Sequence, residues 1–262
     1  MVANGALMRD PIELSKFIYL MRLGDTALIL SHRMSEWCGK GPALEEDMAL
    51  ANTALDLLGQ ARLWLSYAGE IEGNGRDEDA LAYLRGDREF GNLLLVERPN
   101  GNYADTMMRE FYFDAWHALA LAALMRSSDP RIAEIAAKSQ KEVTYHLRRS
   151  SDLVVRMGDG TNRSRAMLQA AANALWPYTG ELFLGDAVDA AMTVCGEGFD
   201  PASVRPEWGS YVAKVFSVAT LEVPPESAWM QGGGKQGIHS EHLGYLLAEM
   251  QVLQRTHPGA KW

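Results

Sequence analysis

Apolar residues recur at helical spacing along almost the whole chain. In residues 12–37, Leu14, Ile18, Met21 and Leu28 share a stripe with His32, at steps of three and four residues and their sums. The stretch 39–42, with two glycines and a proline, closes that segment, and residues 44–69 predict a second long helix. Asn100-Gly101 predicts a turn, followed by a third helix over 103–126 with Met107, Leu121 and Leu124 on one stripe. Ser127-Ser-Asp-Pro130 then supplies a capping residue and a proline for a fourth helix, which runs to Met157 and stops at Gly158-Asp-Gly160.

Shorter helices are predicted over 165–176, 185–193 and 207–221. An amphipathic helix through Leu243, Leu246, Leu247, Met250 and Leu253 comes last. No stretch alternates apolar and polar residues long enough for a sheet; residues 93–96 are the best strand candidate. Two long helices joined by a short turn lie antiparallel, and two such pairs make a four-helix bundle. Residues 70–102 would be the crossover between the pairs. The expected fold is all-α, a ferritin-like four-helix bundle with additional C-terminal helices, forming a single domain over 1–262.

Polar residues interrupt these stripes. Asp25 and His32 fall in line with the apolar positions of the first helix, and Glu45, Asn52 and Asp56 share a stripe with Leu63 on the second. On the third, Glu110, Asp114 and His117 lie at i, i+4 and i+7; on the fourth, Glu142 and His146 are one turn apart. Pairing across the hairpins sets Asp25 level with Asp56, and Asp114 level with Glu142. Buried carboxylates need a partner, a hydrogen bond or a metal. Four of them at one level suggest a di-metal carboxylate centre, present or ancestral.

Composition narrows the function. Asp and Glu number 34 against 25 Lys and Arg, a net charge of -9, which argues against general nucleic-acid binding. Cys38 and Cys195 are the only thiols, too few for a disulfide framework or a thiolate cluster, and they fit a reducing cytoplasm. The first eleven residues lack a basic-then-apolar leader, and the longest apolar stretch, 118–125, is far short of the roughly 20 residues that span a bilayer. A soluble cytoplasmic protein with no membrane partner is expected.

An oxygen-activating di-iron bundle uses one Glu from each of two helices and Glu-x-x-His from each of the other two. Asp114-x-x-His117 matches with Asp for Glu, but three residues before His146 stands Val143, and three before His32 stands Ile29. Glu142-x-x-x-His146 is one residue too long, a rotation of about 100° around the helix. Gly59 occupies the position three after Asp56 and has no side chain to ligate a metal. The set is incomplete. Asp25, Asp56, Asp114, His117, Glu142 and His146 are therefore candidates for a vestigial di-iron site, their carboxylates paired instead with one another or with bases such as Lys16 or Arg62.

Several stretches carry a family resemblance: Arg22-Leu-Gly-Asp25, Ser35-Glu-Trp-Cys-Gly39, Leu44-Glu-Glu-Asp-Met-Ala-Leu-Ala-Asn52 and Asp56-Leu-Leu-Gly-Gln-Ala-Arg62. Further on come Asn92-Leu-Leu-Leu-Val-Glu-Arg-Pro-Asn-Gly101, Asp114-Ala-Trp-His117, Tyr145-His-Leu-Arg148, Gly158-Asp-Gly-Thr161, His239-Ser-Glu-His-Leu-Gly244 and Leu247-Ala-Glu-Met-Gln251. Across essentially its whole length the sequence resembles the C subunits of ring 1,2-phenylacetyl-CoA epoxidases, the multicomponent monooxygenases of phenylacetate degradation. The resemblance implies a structural subunit with no catalytic, cofactor-binding or metal residue of its own. It further implies a hetero-oligomer with a homologous A subunit that holds the di-iron centre and the CoA thioester. A reductase with FAD and an iron–sulfur cluster would supply electrons from NADPH. Two other readings stand beside this one: an autonomous di-metal oxidase with an unusual ligand set, and a metal-free helical interaction protein unrelated to oxygenation.

Two lesser motifs carry less. Gly232-Gly-Gly-Lys235 looks like a phosphate loop but lacks the earlier glycine and the Ser or Thr after the lysine, so a flexible loop is expected. His239-x-x-His242 offers two imidazoles without a third ligand, and packing or partner contact is expected there.

Overall fold

The computed structural model describes residues 10–225 and 227–260. Residues 1–9, on which the leader reading rested, lie outside the described residues. Four long helices form the bundle: α1 (Pro11–Ser35), α2 (Leu44–Glu72), α5 (Tyr103–Leu124) and α6 (Pro130–Gly158). The crossover between α2 and α5 holds α3 (Glu78–Tyr83) and α4 (Leu94–Glu97). A C-terminal layer follows with α7 (Asn162–Leu175), α8 (Ala187–Val194), α9 (Arg205–Val218) and α10 (Glu241–Thr256).

Local chemistry sets the helix ends. Asp10 accepts from the Ile12 amide ahead of Pro11, and Asp129 accepts from the Arg131 and Ile132 amides ahead of Pro130. Asn102 and Asp105 form a reciprocal capping box at the start of α5. Gly73, at φ 69, ends α2 in the left-handed conformation that glycine adopts without strain.

Packing then follows the stripes. α1 and α2 form one antiparallel pair, α5 and α6 the other, and α2 lies along α6. Gly24 permits the close approach of α1 to α2: a Cβ there would stand 2.6 Å from Cδ2 of Leu65. α5 is buried nearly all round, with Phe111, Tyr112 and Phe113 at its centre. Tyr112 meets Trp176 and Trp208, and the Trp208 indole donates to the Tyr112 carbonyl at 3.1 Å, which ties α9 to the bundle. This is the ferritin-like arrangement expected from the spacing, with α7, α8 and α9 stacked on α5, α6 and α1, and α10 against α3 of the crossover.

Two expectations fail locally. Residues 93–96 are not a strand: α4 occupies Leu94–Glu97, and the Leu94 amide donates to the buried Glu181 carboxylate rather than to a sheet ladder. An apolar run this short has no periodicity of its own, so burial alone does not distinguish strand from helix. On α2 the polar stripe faces outward in part: Glu45 and Asn52 are exposed, while Thr53 and Gln60 are buried.

Candidate functional site

Polar side chains of α2, α5 and α6 meet in three separate pairs and one short chain. Gln60 donates through Nε2 to Oε2 of Glu142 at 2.9 Å. One turn along, Nε2 of His146 lies 2.9 Å from Oδ2 of Asp56. A carboxylate only accepts, so that imidazole nitrogen carries the proton, which leaves Nδ1 as a bare acceptor. Further along, Ser150 donates to Oδ2 of Asp114 at 2.8 Å. Arg149 then reaches two acids from different helices, Glu46 at 2.6 Å and Glu110 at 3.3 Å, and the Tyr103 hydroxyl donates to the same Glu46 at 2.7 Å.

Burial dominates the electrostatics. It pushes the Asp114 carboxyl well above the usual carboxylate range, and the neighbouring Glu110 charge pushes it further. Burial raises Glu110 too, against the opposing pull of Arg149. Glu142 is raised by burial and then by the Asp56 charge. Burial lowers His146 in spite of Asp56, and it holds His117 at about 3, helped by His146 nearby. Both imidazoles are therefore neutral at pH 7. Nδ1 of each is buried with no hydrogen-bond partner among the described residues.

The six sequence candidates divide into two places. Asp114, His117 and His146 are buried between α5 and α6, with Asp56, its side chain 38% exposed, and the half-buried Glu142 at the adjoining α2–α6 edge. Asp25 is turned away, into the crossover: both carboxylate oxygens meet the Arg85 guanidinium, at 3.0 Å for Oδ2, and the Gly91 amide adds a bond at 2.9 Å. The predicted pairing of the acids with bases holds in kind but not in partner. Lys16 binds Asp129 and Glu197, and Arg62 binds Glu78; the inward acids use Arg85, Arg149, His146, Gln60 and Ser150 instead. Lys16 lies too near the end of α1 to reach Asp25, and Arg62 is exposed on the outer face of α2.

The residues present do not fit a di-iron centre. Among the described residues, no three His, Cys, Asp or Glu side chains converge so as to hold a metal ion. The reason is visible in the bonds. Arg85 supplies positive charge next to Asp25 and Arg149 supplies it between Glu110 and Glu46, while Asp56, Asp114 and Glu142 are bonded to His146, Ser150 and Gln60. Arg149 had a sequence signal: it stands three residues after His146 and seven after Glu142, on the inward stripe of α6. Arg85 had none, since the crossover has no periodicity.

The lesser motifs are structural. Backbone amides of Gly233 and Gly234 donate to the buried Glu181 carboxylate at 2.9 and 2.7 Å, so the glycine loop is pinned around an anion the protein supplies itself. His239 bridges Glu97 and the Phe90 carbonyl, both at 2.8 Å, and the His242 carbonyl accepts from Arg33. Among the described residues, no helix is long and apolar enough to cross a membrane.

Comparison with known proteins agrees with this architecture. A family model described as phenylacetic acid catabolic protein matches residues 3–262. The chain is also 52% identical, over 244 residues, to the C subunit of 1,2-phenylacetyl-CoA epoxidase from Escherichia coli (strain K12). That alignment covers 93% of this chain and 98% of the relative.

Proposed function

The chain belongs to the family of phenylacetic acid catabolic proteins, and from that premise we propose that it is a non-catalytic structural subunit of a phenylacetyl-CoA 1,2-epoxidase. In this reading it works in the cytoplasm, pairing with a homologous A subunit that holds the di-iron centre and the CoA thioester. Electrons reach that centre from NADPH through a reductase with FAD and an iron–sulfur cluster. This chain contributes a rigid bundle that stabilises its partner.

One observation carries the non-catalytic part: each candidate carboxyl group is engaged by a side chain of the chain itself, Asp25 by Arg85, Asp56 by His146, Asp114 by Ser150 and Glu142 by Gln60. At Asp25 the cation fixed by the chain also removes a charge imbalance that would draw a metal ion. One detail favours the alternative of an autonomous di-metal oxidase, since the buried Nδ1 of His146 is a lone pair of the type a metal accepts. The carboxylates needed to complete such a site are engaged elsewhere. The 52% identity to a named epoxidase subunit gives no support to a helical protein unrelated to oxygenation.

The test is turnover of the assembled oxygenase with Asp114→Asn and His146→Gln in this chain. Both changes keep hydrogen-bonding shape while removing a ligand. Turnover per assembled complex should stay within about twofold of wild type. A drop of about a hundredfold or more, with assembly intact, would mean that these residues take part in the chemistry, since loss of an acting group costs on this scale.

A further inference from the structure

The outward face of α2 carries an apolar seam that no other element among the described residues covers. Leu44, Met48, Ala51, Leu55 and Leu58 follow at intervals of four, three, four and three residues, which keeps them on one helix face. Leu44 is 73% exposed, Met48 58%, Leu55 65% and Leu58 41%. Single exposed leucines are ordinary on a protein surface, but a row at this period is the pattern that receives a second helix. Gly59 extends the row with a flat spot: a Cβ placed there would meet no heavy atom within 4 Å.

The two edges of the seam differ in charge. On one side α6 exposes Lys138, Lys141, Tyr145 and Arg148 at i, i+3, i+7 and i+10. The Asp56–His146 and Gln60–Glu142 bonds set this basic rail level with the C-terminal half of the seam. On the other side a groove of about 480 Å³ runs between α2 and α3, floored by Leu28 and Leu65 and walled by Asp79 and by Glu78 with its ion-pair partner Arg62, so this edge is close to balanced in charge. An occupant must therefore present apolar residues along its centre, acids toward α6 and a side chain to enter the groove.

A specific subunit interface takes about 800 Å² from each partner. The seam alone supplies only part of that, so the contact has to extend over the α6 rail, and one isolated helix is too narrow to cover both. We infer that this face is the docking surface for the second ferritin-like subunit of the oxygenase, which lays an antiparallel helix pair across α2 and α6. The partner's identity rests on the function proposed above; the location rests on α2 and α6.

The experiment measures binding of the full chain to the catalytic subunit by co-purification and by titration. Leu55→Asp/Leu58→Asp should weaken binding by about a hundredfold or more, as expected when two centrally placed anchors are lost. Lys141→Glu/Arg148→Glu should weaken it by about tenfold and remove most of its salt dependence. Val194→Asp, on α8 and 89% exposed, should bind as wild type. Because these positions are exposed, the melting temperatures of the variants should match that of wild type. As a second readout independent of stability, a photo-crosslinking residue at Met48 should capture the catalytic subunit in the assembled complex, and one at Val194 should not. If wild type binds and Leu55→Asp/Leu58→Asp binds equally well, the docking face is wrong. If wild type itself does not bind the catalytic subunit, the structural-subunit reading fails first. Capture of a second copy of this chain through Met48, in place of the catalytic subunit, would also overturn the inference.

Discussion

Arg85→Leu should destabilise the chain by about 3–5 kcal/mol, the range for stranding one member of a buried ion pair. Asp25 is fully buried at 0% exposure, and the Arg85 side chain is 4% exposed, so water cannot replace the lost guanidinium. The guanidinium also lies 4.1 Å above the Phe90 ring and donates to the Glu89 carbonyl at 2.7 Å, so its loss loosens the crossover as well. The double change Asp25→Leu/Arg85→Met should recover part of this, because removing both charges removes the desolvation penalty. Recovery should be incomplete, since the Gly91 amide then loses its acceptor. Urea unfolding of wild type and the two variants measures both effects. A loss below about 1 kcal/mol for Arg85→Leu would mean that the pair is solvated, in the range of surface ion pairs.

His117 should make stability fall with acid. Its folded value near 3 lies below the ordinary 6.5, so the unfolded chain binds a proton that the folded chain refuses. The contribution is fully present above about pH 6.5 and is lost as the pH falls toward 3. Between pH 7 and pH 5 the loss through this one residue is about 2 kcal/mol. His146 and His32, both lowered by burial, act in the same direction. Asp114 and Glu110 oppose them: with raised values they hold protons more readily when folded, so their contribution falls as the pH rises. The measurement is therefore a difference. Unfolding free energies of wild type and His117→Phe are compared at both pH values, and wild type should lose about 2 kcal/mol more than the variant over that interval. Equal losses would show that the imidazole is hydrated in the folded state.

The bundle was legible because its causes are local. The Asn100-Gly101 turn and the cap and proline at Asp129-Pro130 mark where α5 and α6 begin, and the stripes mark which face is buried. The site was legible in part. Asp114, His117, Glu142 and His146 stand on inward stripes, and the failed Glu-x-x-His spacing could be read directly from the sequence. What the acids bind was not legible, because Asp25 meets Arg85 across 60 residues and Glu46 meets Arg149 across 103. Contacts at that separation depend on how the crossover folds back, and no periodicity encodes it. The phase of α2 misled for a related reason. It is packed against α1 on one side and α6 on another, so its buried arc is wide, and the outer arc carries leucines that hydrophobicity alone assigns to the core.

The central claim is that side chains of the chain itself, Arg85, His146, Ser150 and Gln60, occupy the acids that a metal inside this bundle would need. Iron analysis tests it most directly, on the chain produced alone under iron-replete conditions and then on its complex with the catalytic subunit. The isolated chain should carry no stoichiometric iron and show no oxygen-dependent turnover, and iron in the complex should remain with the partner when the two are separated. A full di-iron complement on the isolated chain, with oxygen consumed in its presence, would contradict the claim.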